Sequence, residues 1–244
     1  MRFDSLNQCV AFLEREQELI RIRERVDPHL EMAEITRRVF EAGGPALFFE
    51  NVKGSEFPAV SNLYGTWHRT LKIFEPQLSQ VTALVDMAAD PMGVLKSPGR
   101  LLKAGTALSH ALPLPVQANR TLSRLTQIDQ LPRITCWPED GGAFVLLPQV
   151  FSQDPDADSL LRSNLGMYRI QLTGNDFRLN EEIGLHYQLH RGIAAHHQKS
   201  LAKKRPLKVS IFIGGPPAHA LAAVMPLPEG VPEIAFAGAL AGRN

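Results

Sequence analysis

Residues 5–49 alternate helical apolar spacing with short unbroken apolar runs, a pattern that few folds other than helices laid against a sheet can satisfy. Ser5 followed by Gln8 makes a capping box, and Leu6, Val10 and Leu13 recur at intervals of three and four, so a helix is predicted over about residues 5–17. Leu19, Ile20 and Ile22 then read as a short strand. Asp27-Pro28 can cap and start a second helix with an apolar face of Ala33, Ile35, Val39 and Phe40, and Gly43-Gly44 can end it. Ala46-Leu47-Phe48-Phe49 follows as a buried strand. The opening of the chain is therefore an α/β domain.

The pattern weakens over residues 90–120. Pro91, Pro98, Pro113 and Pro115 interrupt it, and Lys96, Arg100, Lys103 and Arg120 make it basic, so it reads as a connector containing a short helix. A solvated face is the preferred reading of these cations over an anionic-lipid or substrate-steering patch. Beyond it, Phe144-Val145-Leu146-Leu147 and Val150-Phe151 suggest strands, Asp154-Pro155-Asp156 a turn, and residues 167–172 a strand enclosing Arg169. A further strand is predicted over 207–213, broken by Gly214-Gly215-Pro216-Pro217, with a helix over 218–224 that has Pro217 near its first position.

Composition narrows the class. The 244 residues are 44% hydrophobic, enough for a sizeable core, and 26 basic against 25 acidic residues leave a charge of +1 that does not point to nucleic acid. Cys9 and Cys136 are too few and too far apart for a disulfide framework or a zinc site. There is no apolar stretch of signal-peptide or membrane-spanning kind, so a cytoplasmic location is expected.

Familiar cofactor loops are absent: no GxGxxG, no GxxxxGK[ST], no GxSxG. The candidate chemistry lies instead in Asn164-Leu165-Gly166-Met167-Tyr168-Arg169-Ile170-Gln171, with His190 and Glu233 downstream. An amide oxygen, an imidazole and a carboxylate form a set that can hold a divalent cation against a phosphorylated cofactor, and an arginine can clamp a carboxylate through two parallel hydrogen bonds. Each residue also has a plainer reading: Asn164 as a turn residue, Glu233 as a helix N-terminal acid, and any of His186, His190, His196 and His197 as a surface or hydrogen-bonded core histidine. On a helix, His186 and His190 would share a face. Arg169 is harder to explain away, because a charge inside an apolar strand needs a partner.

Many dispersed segments carry a family resemblance. Val26-Asp27-Pro28-His29-Leu30-Glu31, Gly43-Gly44-Pro45-Ala46, Asn62-Leu63-Tyr64-Gly65-Thr66, Thr135-Cys136-Trp137-Pro138-Glu139-Asp140-Gly141-Gly142, the Asn164 to Gln171 segment, Leu189-His190-Arg191-Gly192, and Met225-Pro226 through Glu233 occur in the order seen in the UbiD family. The chain resembles these prenylated-FMN-dependent decarboxylases, and within them the branch typified by 3-polyprenyl-4-hydroxybenzoate decarboxylase. The resemblance implies an N-terminal α/β domain over residues 1–115 and a β-rich, split-barrel flavin-binding domain over residues 116–244. It also implies that Asn164, His190 and Glu233 sit at the divalent metal bridging the cofactor phosphate. That metal is Mn²⁺ or Mg²⁺, with K⁺ as a further cation. Arg169 then faces the substrate carboxylate and the flavin, while Leu165, Gly166, Met167, Tyr168, Met225 and Pro226 wrap the cofactor.

The further expectations also come from the resemblance. They are a small carboxylic acid substrate, reliance on a flavin prenyltransferase, homo-oligomerisation of the full-length protein and peripheral membrane association. In that family a later segment of the form E-I-V-x-E-G carries the carboxylates that complete the catalytic set, together with a C-terminal domain. Neither occurs in these 244 residues. The expected activity is non-oxidative decarboxylation of an aromatic or α,β-unsaturated acid, incomplete in this chain alone, and the rival is a non-catalytic flavin-binding or assembly subunit.

Overall fold

In a computed structural model, which describes residues 3–90, 92, 96–114, 125–227 and 231–243, the N-terminal half is a three-stranded sheet with helices on both faces. Helix α1 (Leu6–Arg15) starts where Ser5 Oγ accepts from Gln8 N. The reciprocal bond of the capping box is displaced by one residue, Gln8 Oε1 accepting from Asp4 N. Strand β1 (Leu19–Val26) pairs in parallel with β2 (Ala46–Val52), and β2 pairs antiparallel with β3 (Ala59–Ser61).

Alternation along β2 divides the core. Ala46 and Phe48 pack with Val10 and Leu13 of α1 and with Ile73 and Phe74 of α3 (Trp67–Ala89). Leu47 and Phe49 pack on the other side with Met32, Ile35 and Val39 of α2 (Glu31–Glu41). Two sequence expectations shift here. Helix α2 begins at Glu31 rather than at Asp27-Pro28, because Asp27 is used in a turn, accepting from His29 N at 2.9 Å and from Lys53 Nζ at 2.6 Å. Phe40 lies off its buried stripe and is exposed, Met32 taking its place.

The motif residues of this half serve the fold. Arg69, 1% exposed, donates to the carbonyls of Leu63, Asn62 and Gly44 and lies 3.4 Å from Glu18, pinning α3 to the ends of the strands. Asn62, in the left-handed region at φ 57°, donates through Nδ2 to the carbonyls of Gly44 and Pro45. Helix α3 is not announced by patterning, since Pro76 lies inside it and Thr66 caps it without an acidic partner in the first turn.

The expected connector contains a full helix, α4 (Pro98–His110), packed against α3; Pro91, Pro115 and Arg120 lie outside the described residues. The second half has two small antiparallel sheets. One has the order β6–β5–β9, from β5 (Gln149–Gln153), β6 (Ser163–Met167) and β9 (Val209–Phe212). The other has the order β4–β7–β8, from β4 (Phe144–Val145), β7 (Ile170–Gln171) and β8 (Gly184–Leu185). Helix α5 (Gly192–Ala202) lies on the first sheet, with Ile193 buried against Val150 and Tyr168. Helices α6 (Pro217–Ala222) and α7 (Glu233–Ala241) return to the first half, placing Ala218 and Leu240 in the α1/α3 core. Among the described residues no helix is long and apolar enough to cross a membrane.

Candidate functional site

Strand β6 carries the candidate residues, and it is an edge strand whose outward backbone groups need partners. Helix α7 supplies one. It is apolar nearly all round, so it is drawn into the interior with Ala235, Ala237, Ala239 and Leu240 buried, and its first residue, Glu233, meets the strand. Glu233 Oε2 accepts from Leu165 N at 3.1 Å. The reading of Glu233 as a helix N-terminal acid holds, and its carboxylate also closes the strand edge.

Asn164 is not a turn residue. It lies within β6 opposite Ser152, 7% exposed, and its Nδ2 donates to the Tyr168 hydroxyl at 3.3 Å. That bond leaves the Asn164 Oδ1 turned to the start of α5, where a Cβ on Gly192 would stand only 2.3 Å from it. Tyr168 folds back over Gly166, whose missing side chain is required: a Cβ there would lie 2.3 Å from the ring. Burial chiefly pushes the Tyr168 phenol up, with the charge of Glu233 adding to it and the Asn164 bond opposing, so the phenol is neutral near pH 7.

The predicted strand over 167–172 is instead two strands in two different sheets. β6 ends at Met167, β7 starts at Ile170, and Arg169 occupies the joint. The Arg169 partner is Asp140, whose Oδ1 accepts from Nη2 at 2.7 Å, while the guanidinium carbon lies 3.7 Å from the centroid of the Phe144 ring. Asp140 Oδ2 accepts from Cys136 N and Trp137 N at 2.9 and 3.1 Å. Burial pushes the Asp140 carboxyl up, but the Arg169 bond and the two amides outweigh it and hold the group below the ordinary carboxylate range. The Cys136 thiol moves the other way, raised by burial and by Asp140. Sequence reasoning named Arg169 but not Asp140 or Phe144; the signal for Asp140 was its place before Gly141-Gly142, a turn dipeptide with φ of 70° and 150°.

The histidines separate. His186 and His190 do not share a helix: His186 follows β8 and His190 lies in the turn before α5. His186 Nε2 meets Gln171 Oε1 at 2.9 Å, His196 Nδ1 meets Ser152 Oγ at 2.9 Å, and His197 Nδ1 is hydrogen-bonded to the Tyr187 hydroxyl. His190 is exposed two residues before Gly192 and makes no side-chain hydrogen bond among the described residues. Met225 and Pro226 are exposed in the turn after α6, and residues 228–230 lie outside the described residues.

Two family models match the chain. The N-terminal domain of 3-octaprenyl-4-hydroxybenzoate carboxy-lyase covers residues 10–88, and its Rift-related domain covers residues 109–244, more than half the chain. The chain belongs to the UbiD family. Among UbiD relatives, a Chlamydia pneumoniae protein named as a subunit of 4-hydroxybenzoate decarboxylase is 38% identical over 247 residues, covering 98% of this chain and 40% of the relative. The closed form of vanillic acid decarboxylase from Sedimentibacter hydroxybenzoicus superposes with a TM-score of 0.77 at 23% identity, over 99% of this chain and 49% of that one. The UbiD-class enzyme HmfF from Pelotomaculum thermopropionicum in complex with FMN gives a TM-score of 0.73 at 25% identity, over 97% and 48%. The fold is thus that of UbiD-class decarboxylases, and the chain spans 40–49% of the length of these proteins.

Proposed function

We propose that the chain carries the flavin- and metal-binding part of a decarboxylase acting on an aromatic or α,β-unsaturated carboxylic acid. The observation behind this reading is the convergence on β6. Strand, α5 start and α7 start meet there, with Asn164 Oδ1 in a cradle that any side chain at residue 192 would fill and the Glu233 carboxylate one residue along the strand. Amide and carboxylate oxygens suit Mg²⁺ or Mn²⁺, and His190, exposed two residues before Gly192, would favour Mn²⁺ by adding a nitrogen. The donor set therefore fits a divalent cation against a cofactor phosphate.

Prenylated FMN, when bound, supplies the electron sink that an aryl or vinylic acid lacks. The chain has the remaining tasks. Asn164, His190 and Glu233 would hold the cation; Leu165 to Tyr168 and Met225-Pro226 would line the cofactor; Arg169, at the joint between the sheets, would grip the substrate carboxylate. Dependence on a flavin prenyltransferase follows from the cofactor. That the Chlamydia pneumoniae relative is named as one subunit of its enzyme supports a working unit that includes further polypeptide.

The test is flavin retention by the chain co-expressed with a flavin prenyltransferase and gel-filtered in Mn²⁺ or in chelator. Flavin should remain with Mn²⁺ and be lost with chelator, and Arg169→Lys should retain flavin while binding 4-hydroxybenzoate poorly. Retention indifferent to chelator would remove the metal from the reading, and loss of flavin from Arg169→Lys would make that residue structural.

A further inference from the structure

Asp140 divides its two oxygens between two tasks. Oδ2 takes the amides of Cys136 and Trp137, and Oδ1 takes Arg169 Nη2. The loop that carries Asp140 is already fixed without Arg169. A Cβ at Gly142 would lie 1.9 Å from the Thr173 carbonyl and one at Gly174 1.5 Å from the Gly141 carbonyl, so the two backbones are pressed together. Ala143 N donates to Thr173 Oγ1, Leu172 N to the Ala143 carbonyl, and Gln171 Nε2 to the Gly141 and Thr173 carbonyls. The ion pair adds little to holding this loop.

What the pair does fix is the guanidinium. One Nη2 hydrogen is bound, one face lies on Phe144, and Nε and Nη1 have no other hydrogen-bond partner among the described residues, with the side chain 38% exposed. The Arg169 backbone is held as well, its carbonyl accepting from His186 N at 3.1 Å. A long side chain anchored at base and tip presents its remaining donors in one direction, so a second carboxylate binds without first having to order it.

We propose that Asp140 is a positioning residue for acid recognition: it orients Arg169 so that the free guanidinium edge receives the substrate carboxylate. This rests on the reading of Arg169 given above. Asp140→Asn separates the tasks, since an amide oxygen in the place of Oδ2 keeps both loop bonds while Nδ2 opposes the guanidinium donors.

The chain loaded with FMN and Mn²⁺ is titrated with 4-hydroxybenzoate and with 4-hydroxybenzamide, its uncharged counterpart, and the Arg169 Nε–H resonance, assigned by its loss in Arg169→Lys, is followed by ¹⁵N NMR. Asp140→Asn should weaken benzoate binding about 10-fold, within the range set by small misplacements of a recognising group. It should leave benzamide binding unchanged and speed exchange of the Nε–H. Equal loss of both ligands, or unfolding, would assign Asp140 to the fold and overturn the proposal. So would an unchanged Nε–H, a readout that holds whether or not acid binds. Wild-type benzoate affinity in Asp140→Asn with loss in Arg169→Lys would overturn it while sparing the reading of Arg169; wild-type affinity in both variants would remove that reading too.

Discussion

Glu233 has a structural and a chemical role that two substitutions can separate. Its Oε2 satisfies Leu165 N on the open edge of β6, and its charge sits at the first position of α7. Glu233→Ala removes both. Losing a charge-assisted bond to a partly buried amide costs about 1.5–3 kcal/mol, and losing the acid at a helix N-terminus a further 0.3–1 kcal/mol or so. For a protein of this size each kcal/mol lowers Tm by about 2–4 °C, so a fall of roughly 4–16 °C is expected by calorimetry. Glu233→Gln keeps an oxygen for Leu165 N and loses only the charge, so its Tm should fall by no more than about 4 °C. Its Mn²⁺-dependent flavin retention should nevertheless weaken by about 10- to 100-fold, the scale seen for perturbed metal sites. Equal melting of the two variants would refute the edge-closing role. Unchanged flavin affinity in Glu233→Gln would refute the ligand role while leaving the structural one intact.

Two further outcomes are expected. Gly142→Ala, at φ 150° with its Cβ 1.9 Å from the Thr173 carbonyl, should destabilise by at least about 3 kcal/mol in urea titration, whereas Gly43→Ala, at φ 64° with nothing within 4 Å, should lose only about 1–2 kcal/mol. Asp154 has its carboxyl lowered to about 2 by the Lys199 bond first and the Asp156 amide second. Because the folded value is below the unfolded one, its stabilisation is present above about pH 4 and fades as pH falls towards 2; Asp154→Asn should remove about 1–3 kcal/mol at pH 7 and flatten that acid slope in pH-dependent unfolding.

The legible parts of the sequence were those where a local cause decides the local outcome. Ser5, Gly43 and Pro217 act within a few residues of themselves, and α1, the end of α2 and the start of α6 lie about where their caps and breakers place them. What was illegible depends on contacts between distant segments. Nothing near Met167 announces that the chain changes sheets at Arg169, because β6 and β7 are told apart only by their partners β5 and β4. Phe40 satisfies the helical spacing of α2 yet is exposed, since the stripe that matters is set by where β2 lies. In the site, the residue types of Asn164, Glu233 and Arg169 could be picked out, but not the Tyr168 hydroxyl that orients Asn164 or the loop carboxylate that holds Arg169.

Replacing a carboxylate by hydrogen requires an acid that is protonated near pH 7 and gives up its proton readily, and such donors work best with a pKa near the working pH. Three groups on this strand and loop, Asp140, Cys136 and Tyr168, miss that range on both sides. Asp140 is held below the ordinary carboxylate value, so it is ionised; Cys136 and Tyr168 are raised by burial and stay protonated as weak acids. Arg169 thus has a clamp partner in Asp140, and none of these three groups is a tuned acid. The 244-residue chain loaded with prenylated FMN and Mn²⁺ should release negligible ¹³CO₂ from labelled 4-hydroxybenzoate over many minutes in dilute buffer. A positioned acid is worth about 10²- to 10⁴-fold, and a soluble acid such as imidazolium should recover part of that, with the rate rising in proportion to its concentration. Cys136→Ser should leave that buffer dependence unaltered. Rapid turnover independent of buffer concentration would show that a donor within these residues serves after all, and if Cys136→Ser abolished it, the donor would be that thiol.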